Sequence, residues 1–149
     1  MEINGLPLHV LALHGAVVLG PLSALVALAY ALLPRYRDRL RWVTLVAVVV
    51  GVGAIWLAYL SGENFFESSR FDNFRGEALE KIEKHEGYAE TLRLMASGFG
   101  IVTVLATWLH DRAGATRMVL SALVVVGAVL TMVWTILTGD AGAQAVWGS

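Results

Sequence analysis

Four apolar blocks organise the chain, at about residues 8–33, 42–60, 94–109 and 118–137. A membrane span needs roughly 20 mostly apolar residues, with a range of about 17–25. The first, second and fourth blocks qualify directly. The third is short, so its helix must begin earlier, near residue 88, in the charged segment before it. None of the blocks alternates with period two. Continuous apolarity of this length therefore predicts helices rather than barrel strands. The expected fold is all-α: a transmembrane four-helix bundle in one domain, 1–149, with spans near 8–33, 42–60, 88–109 and 118–138.

The segments between the blocks sharpen this outline. Pro7 favours a helix start near His9, and His9 itself is compatible with a non-helical lead-in. From Gly76 onward, Glu77–Lys81 and Glu80–Lys84 are i,i+4 pairs in the favourable order. They predict a helix that continues through His85 into the third block, with Gly87 as a kink point. The stretch 64–74 carries Phe65, Phe66, Phe71 and Phe74 among polar residues. It suits either a segment lying along the interface or a loop packed over the bundle mouth. Gly139, in a glycine-rich tail, is the expected stop of the fourth helix.

Charge sets the orientation. The first connection holds Arg35, Arg37, Arg39 and Arg41 against Asp38, and the third holds Arg112 and Arg117 against Asp111. Both tails lack Lys and Arg. Basic short loops stay in the cytoplasm, so both termini and the second connection are expected outside. Only 15% of residues are charged, against about 25% in globular proteins, which fits a multi-pass protein of the cell (inner) membrane. The lipid bilayer is its first partner. The net charge of −1 gives no bulk attraction to nucleic acid. Cysteine is absent, which excludes disulfides, thiolate metal sites and thiol catalysis. The N-terminus lacks a basic region and a cleavage site, so it does not read as a signal peptide.

On this topology the polar groups converge at the outer end. His9 and His14 enter with the first helix. Ser61, Gly62 and Glu63 close the second, His85, Glu86 and Glu90 open the third, and Asp140 closes the fourth. Residues five apart on a helix differ by about 140° of arc, so His9 and His14 do not share a face. His14, deeper in the span, is the preferred member. Neutral imidazole is the commonest metal ligand, and facing histidines in bundles hold haem. His14 and His85 are the expected ligands of haem b. His9, His14, His85, Glu63 and Asp140 are the expected set for a transition metal ion such as copper, zinc or iron. Ser61, Glu86, Glu90 and Arg93 would orient those ligands. Glu86, Glu90, Arg93 and Ser97 fall on one helix face. There Arg93 either pairs with Glu90 or snorkels to the interface. Two other readings remain open: a polar network that only holds helices together, and a proton or ion path. Phosphate loops, nucleophile elbows and zinc-protease motifs are absent.

Leu6-Pro7-Leu8-His9…His14, Ser61-Gly62-Glu63, His85-Glu86…Glu90 and Thr138-Gly139-Asp140-Ala141-Gly142-Ala143 together resemble a large family of small bacterial membrane proteins. The family is known chiefly as a domain of unknown function and is common in actinobacteria. The resemblance covers nearly the whole chain. Relatives usually carry proline after the first histidine, where this chain has Val10. Many carry histidine where this chain has Asp140, which can still ligate a metal. Some relatives are joined to iron–sulfur domains, so the resemblance implies membrane redox chemistry.

The leading expectation is a redox-associated module for electron transport, binding haem b or a metal ion near the outer leaflet. A redox or membrane-complex partner on the outer face, or a second copy in a homo-oligomer, would accompany it. The alternative is a non-catalytic accessory subunit whose polar cluster holds the bundle. A proton-coupled carrier is disfavoured, because four spans show no inverted repeat.

Overall fold

The computed structural model describes residues 2–3, 6–66 and 76–147. Of the aromatic stretch 64–74, residues 64–66 are helical and the rest lies outside the described residues. Helix α1 spans Leu8–Leu32, α2 Arg37–Phe66, α3 Glu77–Trp108 and α4 Ala115–Trp147. A one-turn 3-10 segment, Pro34–Tyr36, joins α1 to α2. A two-residue antiparallel pairing of Glu2–Ile3 with Leu6–Pro7 precedes α1. All four helices are long and apolar enough to cross a membrane, over Leu11–Leu32, Pro34–Asn64, Leu79–Trp108 and Ala115–Ala145.

The helices outrun the apolar blocks. At 1.5 Å per residue, the 30 residues of α2 extend about 45 Å, beyond a hydrocarbon core of roughly 30 Å. The polar ends stay helical because their side chains bond within their own helix. Tyr59 donates to Glu63 at 2.7 Å, Asn64 to the Leu60 carbonyl at 2.7 Å, and Gln144 to Asp140 at 2.7 Å. Lys81 donates to Glu77 at 2.8 Å, which holds the Glu77 carboxyl below its usual range.

Two expectations are corrected. Gly139 does not end α4, which continues to Trp147. A glycine inside a helix costs only about 1 kcal/mol relative to alanine, too little to stop a helix supported on both sides. His9 is not on a lead-in but in the first turn of α1, directly after Pro7.

The helices form an up-down-up-down ring in which α1 neighbours α2 and α4, and α3 neighbours α2 and α4. Lipid tails supply no hydrophobic force between helices, so close packing must hold them. Small residues provide it. A Cβ on Gly51 would stand 2.7 Å from the Leu19 carbonyl oxygen, so α1 and α2 approach as closely as they do only because position 51 is glycine. One buried cluster contains Ala12, Ala16, Ile55, Ala58, Leu92 and Ala96. The other surrounds Tyr30, Val48, Phe99, Val124 and Ala128.

The two hairpins, α1–α2 and α3–α4, bury equivalent positions. Shifting α1 so that His9 falls on His85 carries buried Ala16, Gly20, Ser23, Ala27 and Tyr30 onto buried Leu92, Ala96, Phe99, Thr103 and Ala106. Shifting α2 so that Gly62 falls on Gly142 carries buried Thr44, Val48, Gly51, Ile55 and Ser61 onto buried Val124, Ala128, Thr131, Thr135 and Ala141. Both hairpins run in the same direction, so the repeat is parallel rather than inverted.

Candidate functional site: a mirrored pair of imidazoles

The repeat places one histidine near the start of each odd-numbered helix, facing the end of the helix that follows it. His9 Nδ1–H donates to the Ala58 carbonyl at 3.0 Å. Ser61 Oγ lies 3.4 Å from the same nitrogen and donates to the same carbonyl at 3.0 Å. His85 Nδ1–H donates to the Thr138 carbonyl at 3.0 Å. A carbonyl can only accept, so in each ring the neutral form carries its hydrogen on Nδ1 and its lone pair on Nε2.

Each ring rests on a glycine one turn beyond its carbonyl. A Cβ on Gly62 would lie 2.9 Å from His9 Cε1, and one on Gly142 would lie 3.0 Å from His85 Cε1. Both rings are half-buried. Beside His85, the Thr138 hydroxyl is buried and has no hydrogen-bond partner.

The expected residues separate into two groups. His9 and His85 are turned toward the neighbouring helices, His9 onto α2 and His85 onto α4. His14, preferred from depth alone, lies on the exposed side of α1, because the 140° step from His9 carries it off the inner face. Ser61 is buried beside His9. Glu63, Glu86, Glu90 and Asp140 are all exposed. Glu63 accepts from Tyr59 and Asp140 from Gln144, each on its own helix. Among the described residues no three His, Asp or Glu side chains gather as a metal centre.

Arg93 settles on the α2–α3 seam. Its guanidinium lies 4.3 Å from the Tyr59 ring centroid and 5.1 Å from that of Trp56, with Glu90 Oε1 at 3.8 Å. Trp56 Nε1 donates to Ser97 Oγ at 3.1 Å on the same seam. The stripe Glu90, Arg93, Ser97 thus serves helix pairing.

Sequence reasoning did not single out Gly142 as the partner of Gly62, or Ala58 and Thr138 as acceptors. Backbone acceptors leave no mark in side-chain identity. The recurrence of glycine one turn after the acceptor was the available signal. Neither a family model, a curated protein nor a solved structure matches the chain. The family resemblance therefore rests on its motif residues alone, and geometry is the guide to function.

Proposed function

We propose that this chain is a membrane redox module that holds haem b between His9 and His85. One observation carries the reading: two imidazoles on different helices, each with Nδ1–H tied to a backbone carbonyl, which fixes the tautomer whose Nε2 holds the lone pair. The donor set favours haem over a bare ion. A structural zinc site takes four protein ligands and a catalytic one three, whereas haem asks the protein only for axial ones. Bound there, haem supplies reversible one-electron transfer. The Ala58 and Thr138 carbonyls fix ring orientation and raise imidazole basicity. Gly62 and Gly142 let the rings approach α2 and α4 closely. The unpartnered Thr138 hydroxyl offers a further polar contact in the same layer.

The arginine-bearing connections support a cytoplasmic location for the opposite end, which puts the imidazole pair near the outer leaflet. An electron partner would then approach from outside.

The test is the haem stoichiometry of gently purified protein, by Soret absorbance and pyridine haemochrome, before and after offering haem. His9→Ala and His85→Ala should each weaken haem binding by at least the roughly 10–100-fold of an outer-shell loss, while His14→Ala retains haem. A folded, colourless parent that takes up no haem overturns the proposal. The histidine hydrogen bonds would then mark an accessory subunit held together by polar contacts.

A further inference from the structure

At the other end of the bundle lies a buried cation that no described carboxylate pairs. Arg37, the first residue of α2, is only 7% exposed. Its guanidinium carbon stands 4.7 Å over the ring of Tyr30, itself fully buried. Among the described residues its Nε has no hydrogen-bond partner, and the guanidinium's side-chain hydrogen bond is a long one, 3.4 Å from Nη1 to Ser121 Oγ. Among the described residues no carboxylate pairs with it. The neighbouring Asp38 is engaged by His110 Nε2 at 2.8 Å. A buried charge without a counter-charge is costly.

The surroundings add donors rather than acceptors. Arg41, one turn along α2, donates through Nε to the Thr107 carbonyl at 3.0 Å, which leaves its terminal nitrogens available. Thr44, on the same face, is fully buried with its hydroxyl unpartnered.

We infer that Arg37 is the base of an oxyanion site, open to the arginine-bearing end of the bundle, that takes a phosphate-type group with help from Arg41. Arginine pairs with phosphate oxygens through its forked donors, and basic pockets between membrane helices take anionic headgroups. Trp42 and Trp108 are 64% and 75% exposed at this level. Exposed tryptophans mark the headgroup zone, so a lipid phosphate and a free phosphate ion can both reach the site. The site is separate from the imidazole pair and does not depend on it.

The experiment uses the full chain in zwitterionic detergent. Short-chain phosphatidylglycerol, short-chain phosphatidylcholine and inorganic phosphate are each titrated at matched ionic strength. Thermal midpoint and native mass spectrometry are the readouts. Saturable binding of phosphatidylglycerol but not phosphatidylcholine supports the site and identifies a lipid source. Equal binding of inorganic phosphate supports it with a free oxyanion as ligand. If neither binds, the inference fails. Arg37→Gln should weaken binding by at least about fivefold, since an arginine near an anionic headgroup contributes about 1 kcal/mol. Arg39→Gln, an exposed arginine of the same segment, should leave it unchanged. Equal losses from both variants would indicate a diffuse positive field and overturn the site. Should Arg37→Gln not fold, Arg41→Gln replaces it: a similar loss is expected, and unchanged binding overturns the inference.

Discussion

The imidazole rings are held by atoms that are not there. Gly62 and Gly142 give up their Cβ so that His9 and His85 can approach α2 and α4 closely. Neither ring can retreat freely, because its Nδ1 bond to the carbonyl one turn back sets its position. Gly62→Ala and Gly142→Ala should therefore each lower stability by about 1–3 kcal/mol, the usual cost of overpacking. Gly139 provides the control, since a Cβ there would meet nothing within 4 Å. Gly139→Ala should be neutral or stabilising by up to about 1 kcal/mol, through helix propensity. Unfolding in mixed micelles checks the order. A Gly142→Ala protein as stable as the Gly139→Ala protein would show that the His85 ring is not pinned.

Among the elements, the ring of helices leaves α1 and α3 on a diagonal, each packed mainly against α2 and α4. Tyr30 crosses it. Its hydroxyl donates to the Ala106 carbonyl at 2.9 Å and lies 3.0 Å from His110 Nδ1. Inter-helix hydrogen bonds in membranes average about 0.6 kcal/mol and reach about 2. Tyr30→Phe should lower bundle stability within that range, while Tyr36→Phe, at an exposed position, should leave it unchanged. Chemical unfolding of both variants decides the matter, and a Tyr30→Phe protein as stable as the parent would show that the hydroxyl does not tie the helices.

For the whole molecule, the up-down-up-down course puts both termini at one end and the arginine-bearing connections at the other. The basic short loops then predict termini outside. A C-terminal alkaline phosphatase fusion should be active and a C-terminal fluorescent protein dark. The reverse outcome would move the imidazole pair to the cytoplasmic side.

The spans were legible because apolar runs longer than a soluble core requires have few alternatives in lipid. The bundle and the end at which polar groups collect followed from helix count and alternating direction. The register between helices was not legible. Ser61-Gly62-Glu63 and Thr138-Gly139-Asp140 look like equivalents, yet the fold pairs Gly62 with Gly142 and Ala58 with Thr138. The chemically similar tripeptides are thus offset by nearly one turn. Likewise His14 was favoured for depth, but only packing decides which side of α1 faces inward. Helix phase depends on the summed contacts of Ala12, Ala16, Ser23 and their neighbours across the seams, not on any one residue's chemistry. The carboxylates were misplaced for a related reason: Glu63 and Asp140 are satisfied by partners one turn away, a local competition that composition does not reveal. Hydropathy therefore determined what crosses the membrane. Close packing around glycine and alanine, together with backbone carbonyl acceptors, decided which two histidines are held against a neighbouring helix.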